Sequence, residues 1–108
     1  MAEVPGKNVG ASRFADAGLL ILISLADGEK HGYAMISDIE EIADVKLGPG
    51  TLYTALARLE GQGLIEPVET DDRRKPYRLT PDGRAELSAQ LAGMEGLAAM
   101  GQQRMETA

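Results

Sequence analysis

The chain has 108 residues, 44% of them hydrophobic and 26% charged, which fits one soluble globular domain with an appended element and excludes a two-domain enzyme. With no cysteine and one histidine, disulfides, thiolate metal sites and cysteine nucleophiles are excluded, and zinc lacks ligands. The net charge of -6 at first sight opposes a polyanionic partner, so the distribution of charge has to be weighed as well.

Residues 1–12 mix Glu3, Pro5, Lys7 and Asn8 and lack the basic region, apolar stretch and cleavage site of a signal peptide. They read as a flexible start to a cytoplasmic protein. The longest apolar run, Gly18 to Leu25 with Ser24 inside it, is far short of the ~18 residues that span a bilayer, so no membrane partner is expected. The segment Ala15 to Ala26 reads as a helix apolar on most sides and therefore central, ended by Asp27-Gly28. His31-Gly32-Tyr33 opens a second helix, with Met35, Ile36, Ile39, Ile42 and Ala43 at helical spacing. Asp38, Glu40, Glu41 and Asp44 read as its solvated face. Val45-Lys46-Leu47 reads as one small strand.

Gly48-Pro49-Gly50-Thr51 opens a third helix with proline at its start, where a missing N–H costs nothing, and Gly63 closes it. Leu52, Leu56 and Leu59 form the buried side; Thr51, Thr54, Arg58 and Gln62 face outward, with Tyr53 on a flank. Leu64 to Glu69 and Pro76 to Leu79 read as a small edge-like hairpin around a charged tip, Thr70 to Lys75. Thr80-Pro81-Asp82 then caps a last helix that runs toward the chain end. Its Leu87, Leu91, Met94, Ala98, Gly101 and Met105 follow a two-position heptad, a seam that predicts pairing with a second copy. Gly93, Gly96 and Gly101 weaken that helix by about 1 kcal/mol each relative to alanine.

From Val45 to Leu79 there are six basic residues (Lys46, Arg58, Arg73, Arg74, Lys75, Arg78) against five acidic ones, whereas the rest of the chain holds five against twelve. Positive charge is gathered in one third of the sequence, as expected if one face meets an anion. Three helices, a hairpin and a further helix, with the third helix polar outward and a basic hairpin tip, describe a winged helix-turn-helix, a mainly α fold with one β-hairpin.

The strings Asp27-Gly28, His31-Gly32-Tyr33, Gly48-Pro49-Gly50-Thr51-Leu52-Tyr53, Arg58-Leu59-Glu60, Gly63-Leu64-Ile65, Arg73-Arg74-Lys75 and Tyr77-Arg78-Leu79-Thr80 resemble the PadR family of bacterial transcriptional regulators. The resemblance runs from about Ala17 to Leu87, and the single remaining helix is similar to that of the family's short-tailed subgroup. Gly48 departs from the serine often found there, and Thr54 from a common proline. The subgroup's tryptophan, used by some members to stack flat ligands, is missing.

The resemblance implies a DNA-binding domain over residues 13–79 and a dimerisation helix over 80–108. It implies a homodimeric, effector-responsive repressor on a pseudo-palindromic operator in double-stranded DNA. Gly50, Thr51, Tyr53, Thr54 and Arg58 would meet the major groove and its phosphates, and Arg73, Arg74, Lys75 and Arg78 the backbone beside it. Leu87, Leu91, Met94, Ala98 and Met105 would form the dimer seam, and Met94, Met100 and Met105 are suited to an adaptable small-molecule pocket. The alternative is a winged helix kept as a protein-interaction module without DNA binding, which the overall acidity suits. His31, with Tyr33 beside it, reads as a capping or packing residue rather than a base, because a catalytic histidine needs an orienting partner. No catalytic residue, cofactor or metal is expected.

Overall fold

The computed structural model describes residues 15–108; the expected flexible segment 1–12 lies outside the described residues. Helix α1 (Ala17–Leu25) starts at Asp16, whose carboxylate accepts from the Leu19 N–H at 2.8 Å, the side-chain cap that an unpaired helix N-terminus requires. Seven of its nine residues are buried, including Gly18, Leu19, Leu20, Ile21, Leu22, Ser24 and Leu25. Such a helix holds its place only if other elements surround it. Helices α2 (Gly32–Ala43) and α3 (Pro49–Gly61) lie against it with Met35, Ile39, Leu52 and Leu56 turned inward.

The chain leaves α1 through Gly28, at φ 151°, and leaves α3 through Gly63, at φ 78°, both in the region that favours glycine. Strands β1 (Ile65–Pro67) and β2 (Tyr77–Leu79) pair antiparallel, with Ile65 opposite Leu79 and Pro67 opposite Tyr77. The fold is thus the expected one, mainly helical with a two-strand wing.

Two local readings need correction. Val45-Lys46-Leu47 forms no strand: the place of a third strand beside β2 is taken by Lys30, which exchanges hydrogen bonds of 3.1 and 2.9 Å with Tyr77. Val45 and Leu47 instead pack as half-buried side chains on the core. Asp38 is not simply solvated. Its carboxylate accepts from the hydroxyl of Ser24, the one buried polar side chain among the described residues, at 2.6 Å, and so satisfies it within α1.

Helix α4 (Pro81–Thr107) begins at Thr80, whose hydroxyl accepts from the Gly83 N–H at 2.9 Å and donates to the Gly63 carbonyl at 2.6 Å. Its first turns lie on the domain, where Gly83 presses against the Leu64 carbonyl and Leu87 is 5% exposed within the core. At 1.5 Å per residue the helix is about 40 Å long, and it accounts for the 57 Å long axis of a molecule only 25 by 21 Å across. Among the described residues no helix is long and apolar enough to cross a membrane.

A methyl group at Gly83 would collide with the backbone of Leu64, whereas one at Gly96 meets open space. Gly83→Ala should therefore lower stability by about 1–3 kcal/mol, and Gly96→Ala should raise it by about 1 kcal/mol. Denaturant unfolding of the two variants beside the parent chain checks both signs.

Candidate nucleic-acid interface

Helix α3 divides sharply by exposure. Leu52, Ala55, Leu56 and Leu59 are buried, while Gly50, Thr51, Tyr53, Thr54 and Arg58 are exposed. The side chains expected to meet a duplex therefore share the outer face of one helix. Gly48 occupies the N-cap without a side-chain hydrogen bond, which leaves the first N–H groups of α3 uncapped by side chains beside Thr51. Arg58 folds back over α1: a Cβ at Gly18 would lie 2.8 Å from its guanidinium, so it stands at the edge of the outward face.

Tyr53 leans the other way. It is 48% exposed and its hydroxyl reaches the first turn of α2, where a Cβ at Gly32 would come within 2.5 Å of it. This contact explains why glycine follows His31 and was not legible in the sequence. Tyr33, on the same turn, is 67% exposed.

The wing brings Arg73, Arg74, Lys75 and Arg78 to the surface, but their surroundings differ. Arg74 binds Asp72 through Nε and Nη2 at 2.9 to 3.2 Å. The hydrogen bond from Arg74 holds the Asp72 carboxyl down to about 2, so the pair persists through the ordinary carboxylate range and is lost only as pH falls toward that value. The same bond raises the pKa of the guanidinium. Arg78 pairs with Glu66 across the hairpin at 2.9 Å. Arg73 and Lys75 have no ion-pair partner among the described residues. Lys75 holds φ at 59°, the left-handed turn that returns the chain into β2.

His31 caps α2, its Nδ1 accepting from the Ala34 N–H at 3.3 Å, as the sequence implied. No group of three or more histidine, aspartate or glutamate side chains suited to a metal ion occurs among the described residues.

On α4 the expected seam needs one correction. Leu87 is committed to the core of its own domain, because the first turns of α4 lie on α1. Beyond it, Leu91, Met94, Ala98 and Met105 are exposed as the heptad requires, with Leu97 on their flank, while the exposed Met100 lies on another face of the helix.

The family model described as the transcriptional regulator PadR-like family matches residues 21–89. The chain belongs to this family. Its members are DNA-binding regulators without enzymatic activity, and this chain is accordingly a winged-helix transcriptional regulator of the PadR type. It is 41% identical over 83 residues to the transcriptional regulator Rv3488 of Mycobacterium tuberculosis, covering 74% of this chain and 77% of that one. It is 47% identical over 85 residues to an uncharacterised 37.1 kDa protein in transposon TN4556 of Streptomyces fradiae, covering 79% of this chain but only 25% of that relative. The chain thus spans about a quarter of the length of the transposon protein. Among solved structures, a PadR family transcription regulator from Clostridium difficile R20291 superposes with a TM-score of 0.74 at 26% identity, covering 82% of this chain and 97% of that one.

The different surroundings of the wing cations predict different salt responses. Each free cation that neutralises a phosphate steepens the fall of log affinity with log salt by about one. Arg73→Gln and Lys75→Gln should each flatten the slope by about that much, while Arg78→Gln, already neutralised by Glu66, should change it far less. Duplex binding titrated at several salt concentrations separates the three.

Proposed function

We infer that this PadR-type regulator acts as a homodimeric, effector-responsive repressor on a pseudo-palindromic operator. Residues 13–79 carry the DNA contacts and residues 80–108 the contact with the second copy. The observation that carries the reading is the uncovered apolar stripe of α4, with Leu91, Met94, Leu97 and Met105 exposed along a helix that projects beyond the domain. A stripe of this length on a water-soluble domain calls for a partner surface, and a second α4 with the same heptad spacing supplies one.

Pairing two such helices carries two copies of α3 on one assembly. Each α3 enters a major groove by its N-terminal end, with the half-site centres about 34 Å apart. Thr51 and Thr54 then reach base edges or phosphates, Tyr53 gives its hydroxyl to a phosphate, and Arg58 supports the backbone at the rim. The wing cations approach the neighbouring phosphates. A dimer seated in this way excludes polymerase from the promoter. A small molecule held among Met94, Met100 and Met105 at the seam would release it by favouring a dimer whose recognition helices are wrongly spaced.

Selection from random-sequence duplexes tests the reading. The expected product is an inverted repeat whose half-sites are centred about 10 base pairs apart. In sedimentation the parent chain should run as a dimer and a chain truncated after Ala89 as a monomer. A truncated chain that still dimerises refutes the seam, and a selection that returns no common sequence moves the protein to the interaction-module role.

A further inference from the structure

The wing and the start of α2 bring two hydrogen-bond donors together. His31 accepts the Ala34 N–H on Nδ1 at 3.3 Å, and its other nitrogen, Nε2, lies 3.2 Å from Nη1 of Arg74. A neutral imidazole offers one lone pair and one N–H, whereas a backbone amide and a guanidinium can only donate. The ring therefore cannot accept from both. The cap prevails, because the Ala34 N–H belongs to the first turn of α2 and the carbonyl four residues back, that of Lys30, lies outside the helix and accepts from Tyr77. Arg74 has no such need, since it faces solvent and already holds the Asp72 carboxylate through Nε and Nη2.

His31 then carries its proton on Nε2. Its Nε2 and the Nη1 of Arg74 then present two donors 3.2 Å apart from two different elements, close enough for one anionic oxygen to accept from both. Nearby, the Tyr53 hydroxyl packs over Gly32, the residue next to His31. Asp72 fixes the orientation of the guanidinium by engaging one edge of the fork, and it also offsets the positive charge of Arg74. Lys30, the remaining cation of this link, is tied to Asp27 and to the Ser24 carbonyl.

The geometry points to a binding site for a phosphodiester of the DNA backbone, formed by His31 Nε2–H and Arg74 Nη1–H. It rests on the DNA-binding reading and adds to it a residue that the sequence presents only as a helix cap. It also joins the wing to the start of α2: one phosphate held here registers both elements against the same strand. Phosphate contacts of this kind position a protein without reading sequence.

The test uses the full chain and a random-sequence duplex at low salt, since a backbone contact needs no operator. His31→Asn keeps a preferred cap residue while its shorter side chain falls short of Arg74. The variant should unfold at the same temperature as the parent and bind the duplex about tenfold more weakly, as for loss of a hydrogen bond to a charged group. Arg74→Gln should weaken binding similarly, and the double variant should lose less than the sum of the two. Because the chain has one histidine, its imidazole nitrogen spectrum is unambiguous and does not depend on how any variant folds. The free protein should show the Nε2–H tautomer, and that signal should move when duplex is added. A free protein in the Nδ1–H form, or a folded His31→Asn variant that binds as the parent does, overturns the site and leaves the DNA-binding reading intact. A parent chain that binds no duplex at low salt overturns both.

Discussion

The structure depends on the burial of α1. A helix apolar around most of its circumference has no face to offer water, so it is stable only when enclosed, and α2, α3, the hairpin and the first turns of α4 all serve as its enclosure. Each fully buried leucine or isoleucine of α1 contributes about 1.5–3 kcal/mol, and Ile21, Leu22 and Leu25 are all within that class. The outward face of α3 follows from this constraint. With Leu52, Leu56 and Leu59 drawn onto α1, the side chains a third of a turn or more away have only solvent or a ligand to meet.

The second organising contact is small. Lys30 pairs with Tyr77 through two backbone hydrogen bonds and so fastens the link between α1 and α2 to the wing. This brings Arg74 to His31 and places the Tyr53 side of α3, the first turn of α2 and the hairpin tip on one side of the domain. The four wing cations are thereby made unequal. Arg74 and Arg78 are held by Asp72 and Glu66, and Arg73 and Lys75 are left to respond to an approaching anion.

Much of this was legible beforehand. The helix boundaries near Gly28 and Gly63 follow from the freedom of glycine at positive φ, and the Thr80 cap with Pro81 behind it marks the start of α4 in the sequence itself. The polar stripe of α3 is read from a spacing of three and four residues. The failures have a common cause. Val45 to Leu47 has the local pattern of a strand, but pattern cannot tell which segment takes a sheet edge, and Asp38 has the spacing of a solvated face because its partner, Ser24, is 14 residues away. Leu87 fitted the heptad seam, yet periodicity does not say where the domain ends and the free helix begins.

The sequence by itself determined the succession of elements, the division of α3 into an inner and an outer face, the clustering of positive charge and the family, because all of these depend on residues close together in the chain. The tertiary structure alone decided that Arg78 meets Glu66 on the other strand, which half of α4 is free, and that His31 and Arg74, 43 residues apart, stand 3.2 Å from one another. These are distances between elements. They are set by how helices and strands pack around α1, and no local spacing encodes them.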